Sequence, residues 1–369
     1  MRIVLAPDSF KESISAAAVC ETLAAVFRAG GHEPISVPIA DGGEGTVDAV
    51  LAAVRGERVV VRVEGPLGDP VDACYALIDQ RRAAMVEMAA ASGLQLVPQN
   101  RRNAIQASTY GTGQLIRDAV ARGVKRIVVG VGGSATTDGG AGCAQALGVS
   151  LLDGQDDELS RGGEALLGLE RIDVSARVRG LDETELIVAC DVTNPLVGPN
   201  GSAHMYAPQK GADPEQVELL DRALTRFANV VFRDVGVAVA EMPGAGAAGG
   251  LAAGLVALCG GRIEAGFQTI AVATGLDTKI ADADCVVTGE GRYDEQTAHG
   301  KAVSGVCELA RNHAKPVHLI AGAVRGAPAG IFASVNELTR IAGDAAEAQK
   351  NPRPHLKRAA AIVADLLER

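Results

Sequence analysis

Val128 to Gly142, VVGVGGSATTDGGAG, constrains the fold more than any other stretch of this chain. It opens as a short buried strand (Arg126-Ile127-Val128-Val129), then breaks into glycine pairs around Ser-Ala-Thr-Thr-Asp. It enters a small-residue helix at Ala141-Gly142-Cys143-Ala144. Glycine lets a backbone turn sharply and brings N–H groups close to a ligand. A helix that starts directly after such a loop points its positive end at an anion. The Ser and Thr hydroxyls and Asp138 add donors and a metal-seeking carboxylate of the kind a nucleoside triphosphate uses. The plainer alternative is that the glycines only let strand and helix pack closely.

The strand–loop–helix rhythm recurs. Ile3 to Ala6 reads as a buried strand ending in Pro7-Asp8-Ser9-Phe10-Lys11-Glu12, with a helix from about Ser13, its expected N-cap, to Gly30-Gly31. Glu33 to Ile39 is a second strand, ending in Ala40-Asp41-Gly42-Gly43-Glu44-Gly45-Thr46 before a helix at Val47 to Val54. From Arg58 the texture changes to a hairpin, Arg58 to Val63 and Val71 to Ile78 around an LGDP turn, and then to a strand at Ala83 to Met88. Further strands are expected at Leu186 to Cys190, Cys285 to Thr288 and Pro316 to Ala321, with a closing helix over Pro354 to Leu367. At 369 residues two domains are expected. The predicted architecture is α/β. A parallel-sheet domain is built from both chain ends (1–58 plus 281–369), and a mixed-sheet α/β domain (59–280) is inserted into it. The active site is expected in the cleft.

Composition narrows the function. Net charge is −10 and no stretch gathers many Lys or Arg, so a nucleic-acid partner is not expected. Seven scattered cysteines, never in a C-x-x-C pair, read as small buried hydrophobes in a reducing cytosol. MRIVLAPDSF carries too short an apolar run for a secretory signal, and Ala247 to Gly261 is too short to span a bilayer. A soluble cytoplasmic protein with no membrane partner is expected; the number of subunits stays open.

Five apolar strands end in a loop that carries an acid: Asp8, Asp41, Asp138, Asp191, and Glu290 with Asp294. One such acid is usually a cap or an Asx-turn. Five flanked by glycines suggest convergence, and such a cluster needs Mg²⁺ or nearby cations. Lys11, Lys210, Arg292 and Lys301 are the natural counter-charges. A P-loop is excluded, because Gly300-Lys301 is followed by Ala302 and Glu295 stands where the first glycine should be. Gly244-Ala-Gly246-Ala-Ala-Gly249 matches the dinucleotide pattern, but the run before it, Glu241-Met242-Pro243, is a poor strand end.

Taken together, the loops resemble those of type I bacterial glycerate kinases. The resemblance is carried by APDSFKES (Ala6 to Ser13), IADGGEGT (Ile39 to Thr46), GPLG (Gly65 to Gly68), TYGTG (Thr109 to Gly113) and GGSATTDGG (Gly132 to Gly140). It continues through CDVTNPLVGPNG (Cys190 to Gly201), PQKGA (Pro208 to Ala212), PGAGAAGGL (Pro243 to Leu251) and TGEGRYDEQTAHGK (Thr288 to Lys301). The motifs run in order along the chain and absorb the apparent dinucleotide pattern. The resemblance implies ATP-dependent phosphorylation of D-glycerate, most often at the 2-hydroxyl, giving 2-phosphoglycerate and ADP. It also implies two α/β domains, the one assembled from both chain ends Rossmann-like, with the active site in the cleft. On that reading Asp8, Ser9, Lys11, Asp41, Gly42, Gly43 and Asp294 help form the acceptor site, and Arg292 and Lys301 face the carboxylate or the transferring phosphate. Asp41 or Asp191 is the base or the Mg²⁺ ligand. Gly132, Gly133, Ser134, Thr136 and Thr137 bind ATP phosphates, with Asp138 and Asn194 near the metal. Two rivals remain: an NAD(P)-dependent oxidoreductase resting on Gly244 to Gly249, and a non-catalytic sugar-acid sensor.

Overall fold

The computed structural model describes residues 1–11, 13–40, 42–294, 302–326 and 330–368. In chain order the strands are β1 (Arg2–Pro7), β2 (Glu33–Ser36), β3 (Gly56–Glu64), β4 (Pro70–Ile78), β5 (Ala83–Glu87), β6 (Arg126–Gly130), β7 (Ser150–Leu152), β8 (Arg171–Asp173), β9 (Glu185–Ala189), β10 (Arg262–Glu264), β11 (Cys285–Tyr293), β12 (Val317–Val324) and β13 (Ser334–Glu337). The chain divides into two compact units, Met1–Asp41 with Asp48–Arg55 and Phe267–Arg369, and Gly42–Val47 with Gly56–Gly266.

The first unit holds a five-stranded sheet in the order β13-β12-β11-β1-β2, parallel throughout. Alternation along its strands separates two cores, as a sheet covered on both faces requires. Ile3, Leu5, Cys285, Val287 and Ile320 face the helices Ala16–Ala29 and Pro352–Leu367. Val4, Ala6, Val286, Leu319 and Ala321 face Leu276–Ala281 and Ala302–Asn312. Because Ala271, Leu276 and Ile280 belong to that second core, the chain re-enters this unit at Phe267, ahead of the 281 expected from sequence texture.

Two local expectations are corrected. The first helix is capped by Ser15, which accepts from the Ala18 N–H at 3.3 Å; the Ser13 hydroxyl donates to the Gln349 carbonyl at 2.5 Å instead. Gly289 to Arg292, expected as a loop, continue β11, because β12 runs on beside them with Arg292 opposite Ala323 and Tyr293 opposite Val324. Gly289 is needed there, since a Cβ would sit 2.0 Å from the Ile320 carbonyl oxygen.

The second unit holds a six-stranded mixed sheet in the order β10-β9-β6-β5-β4-β3, parallel from β10 to β5 and antiparallel through the β3–β4 hairpin. A separate two-stranded sheet pairs β7 with β8. The helices Tyr110–Ala121, Pro214–Val235 and Leu251–Cys259 pack around one core that includes Leu115, Phe227 and Leu255. No helix among the described residues is long and apolar enough to cross a membrane.

Beneath the glycine-rich loop after β6 lie two buried charged side chains. Asp138 has no exposed surface and accepts from Thr109 N–H (2.8 Å), Thr109 Oγ1 (2.8 Å), Gly140 N–H (3.1 Å) and Gly142 N–H (3.3 Å). Burial raises its carboxyl pKa, and those donors oppose the rise. Lys210, 1% exposed, donates from Nζ to the Thr136 carbonyl at 2.5 Å. Burial pushes its ammonium down from its ordinary 10.5 to about 7, against the pull of Asp138. Between those values the unfolded chain binds more protons at this site than the folded one, so the penalty is full below about 7 and fades as pH rises. The stability of the wild-type protein relative to Lys210→Met is therefore expected to increase from pH 7 toward pH 10, measured by urea unfolding of both proteins across that range. A difference independent of pH would show that the buried amine does not titrate in this way.

Candidate active site

In the first unit, Pro7 lies opposite Gly289 in the β1–β11 register, and the Asp8 N–H extends the pairing by donating to the Gly289 carbonyl at 2.8 Å. The Asp8 carboxylate turns back on its own chain and accepts from the Ser9 N–H at 2.5 Å. A Cβ on Gly291 would stand 3.3 Å from Phe10 Cα and 3.4 Å from the Lys11 nitrogen, so the loop runs directly beside β11. Asp8, Ser9 and Lys11 thus lie next to the stretch that carries Glu290 and Arg292, with Lys11 and Arg292 exposed and Asp294 half-buried. These are the sequence's acceptor-site candidates on this unit. Asp41 and Lys301 lie outside the described residues.

In the second unit, two glycine loops meet backbone to backbone. Gly132 donates its N–H to the Gly42 carbonyl at 3.2 Å. A Cβ on Gly130 would lie 2.3 Å from that carbonyl oxygen, and one on Gly132 would lie 2.6 Å from Gly43 Cα. No side chain larger than hydrogen fits these positions without displacing backbone. The segment expected to bind the acceptor and the loop expected to bind phosphate are therefore in direct contact. Gly133 is exposed, Gly132 half-buried and Ser134 8% exposed, which leaves the apex of the loop open.

The rest of that loop turns inward. Thr136 and Thr137 have no exposed surface, and their hydroxyls are buried without a hydrogen-bond partner. Asp138 is enclosed by donors and ties the loop together. Asn194 spends both ends of its amide locally, accepting from the Tyr206 hydroxyl at 2.6 Å and donating to the Asn200 carbonyl at 3.0 Å. Of the three sequence-designated metal ligands only Asp191 is exposed, with Oδ1 accepting from the Gly266 N–H at 2.7 Å. Among the described residues no three His, Cys, Asp or Glu side chains gather as a metal site.

The dinucleotide-like glycines are also used up in packing. A Cβ on Gly246 would lie 2.2 Å from the Pro195 carbonyl oxygen and one on Gly249 1.9 Å from that of Thr136. The Gly249 carbonyl accepts from the Gly139 N–H at 2.9 Å. Gly244 to Gly249 brace the β6 loop from behind, in a segment that no strand precedes directly, which removes the structural basis of the oxidoreductase reading.

One residue at this site was missed in the sequence. Glu87 ends β5 opposite Gly130, is 8% exposed, and accepts from the Gly45 N–H at 3.2 Å and from the Val47 N–H. Its signal was an acid closing a buried strand, the rule that marked the other candidates. Alanines instead of glycines follow it, which hid it.

The arrangement suits a reaction that needs fixed backbone donors and exposed carboxylate and cationic side chains. The glycerate kinase family profile matches residues 3–368. A glycerate kinase of Halalkalibacterium halodurans is 49% identical over 324 residues, 87% of this chain and 85% of that one. The glycerate 2-kinase of Escherichia coli K12 is 45% identical over 326 residues, 88% of this chain and 86% of that one. The crystal structure of a protein assigned as glycerate kinase 2 from Salmonella typhimurium LT2 superposes with a TM-score of 0.88 at 43% identity, covering 100% of both chains. With a match that spans both units and every loop described above, the chain belongs to the glycerate kinase family.

Proposed function

We propose that this enzyme transfers the γ-phosphoryl group of ATP, bound with Mg²⁺, to the 2-hydroxyl of D-glycerate, giving 2-phosphoglycerate and ADP. The reading rests on the family match from residue 3 to 368, and the choice of hydroxyl leans on the similarity to the glycerate 2-kinase of E. coli. Seven free cysteines among the described residues, six of them buried, support a reducing, cytoplasmic setting.

Phosphoryl transfer asks for alignment and charge stabilisation more than for covalent chemistry. In the proposed assignment Gly132, Gly133 and Ser134 hold ATP phosphates through backbone N–H groups and the serine hydroxyl. Asp8, Ser9, Gly42, Gly43 and Asp294 position the acceptor. The exposed Lys11 and Arg292, with Lys301, meet the glycerate carboxylate and the migrating phosphoryl group. Asp191 fits either of two tasks, taking the proton from the attacking hydroxyl or holding Mg²⁺, and Asp41 takes the other. Mg²⁺ would neutralise charge on the phosphates, and an exposed carboxylate suits its oxygen-rich, partly hydrated coordination.

The decisive assay supplies ATP, Mg²⁺ and D-glycerate with purified enolase and no phosphoglycerate mutase. Phosphoenolpyruvate is expected, because enolase accepts only the 2-phosphate. ADP release without it would move the reaction to the 3-hydroxyl, and neither product from folded protein would refute the glycerate reading. Asp191→Asn and Asp41→Asn are each expected to lower kcat by at least ~10²-fold, the scale of a positioned proton acceptor. Steady-state kinetics showing near-normal turnover in both folded variants would remove them from the mechanism.

A further inference from the structure

We infer that Glu87 is a positioning residue for the acceptor: its carboxylate clamps the Gly42–Val47 loop to the ends of β5 and β6 and so sets glycerate affinity. The inference rests on the acceptor role proposed for Gly42 and Gly43.

The loop is fastened at two points. At its start, the Gly42 carbonyl takes the Gly132 N–H, and the Gly130 and Gly132 backbones press against Gly42 and Gly43. At its end, the two Glu87 oxygens are divided between the Gly45 and Val47 N–H groups. Between these points Thr46 Oγ1 donates to the Gly43 carbonyl at 2.7 Å, closing the turn on itself. The helix Thr46–Ala53 begins here, so the Val47 N–H is one of the donors a helix start leaves without an internal partner. An ionised carboxylate is the strongest acceptor for such donors, and it gains further from the positive end of the helix. Glu87 itself is fixed by its place in the ladder, since it closes β5 opposite Gly130. A side chain anchored in a sheet and holding a loop at both its turn and its helix start dictates where that loop sits. Asp41 precedes Gly42 directly in sequence.

The test compares Glu87→Ala and Glu87→Gln with wild type in kcat, in KM for glycerate and for ATP, and in deuterium exchange of the peptide covering 42–47. Losing two charge-assisted bonds is expected to raise KM for glycerate by roughly 10-fold or more in Glu87→Ala. The rise should be smaller in Glu87→Gln, which keeps one acceptor oxygen, with KM for ATP unchanged in both. Faster exchange should be confined to the 42–47 peptide. Unchanged KM for glycerate, or a parallel rise in both KM values with faster exchange throughout β5 and β6, would overturn the inference. If Glu87→Ala does not fold, Glu87→Gln decides by the same criteria. If wild type does not phosphorylate glycerate at all, the functional reading fails, and exchange of the 42–47 peptide in Glu87→Gln decides whether the clamp exists.

Discussion

The second unit is organised around a carboxylate that water never reaches. Removing an ionised carboxylate from solvent costs several kcal/mol unless donors replace the water. Asp138 obtains them from Thr109, Gly140 and Gly142, with the Ser108 hydroxyl further off at 3.4 Å. The donors come from the starts of two different helices. Thr109 precedes the helix Tyr110–Ala121, Gly140 precedes the helix Ala141–Ala146, and Gly142 lies inside that second helix. The Thr109 hydroxyl also accepts from the Cys143 N–H at 2.9 Å, so the two helices are joined through the group that satisfies the acid. One side chain thereby fixes the exit of β6 relative to both helices, and Lys210 secures the same loop by its grip on the Thr136 carbonyl.

Glycine extends this rigidity by contact. Gly139 and Gly140 are met by Gly249, Gly250 and Gly254, and Gly113 sits where a Cβ would lie 2.4 Å from the Cys143 carbonyl oxygen. These glycines serve packing between backbones. They let backbones approach to distances that a methyl group forbids, and the loops they build become stiff through mutual hydrogen bonding. This explains why PGAGAAGGL imitates a dinucleotide fingerprint. Both uses need glycine where backbone must come close, and here the partner is the backbone of Thr136, Asn194 and Pro195.

The strands were legible because burial writes itself into sequence with a fixed period. Ile3 and Leu5 against Val4 and Ala6 carry the two faces of a covered sheet in their alternation alone. What was not legible depends on partners distant in sequence. The extension of β11 through Gly289 to Tyr293 is imposed by β12, and a Gly-Glu-Gly-Arg run alone resembles a loop. Ser13 and Ser15 are equally good caps locally, and a contact with Gln349, 336 residues away, separates them. The candidate site was readable as a set of loops and unreadable as a division of labour, since an aspartate followed by glycines looks the same whether it holds a fold together or serves a reaction.

Burial makes that distinction. A group that must bind Mg²⁺ or accept a proton from a substrate has to be within reach of it and must keep lone pairs for it. Asp138 has no exposed surface and is crowded by donors, and burial raises its carboxyl pKa while those donors oppose the rise. Asp191 ends its strand in the same kind of motif but is exposed, with Oδ1 accepting from the Gly266 N–H. The same reasoning separates Gly133 and Ser134, at the open apex of the loop, from Thr136 and Thr137, which lie deeper in it. A phosphoryl-transfer site gains its rate from groups that do not have to move when charge develops. In such a site the residues that immobilise the backbone are as necessary as those that touch the phosphate.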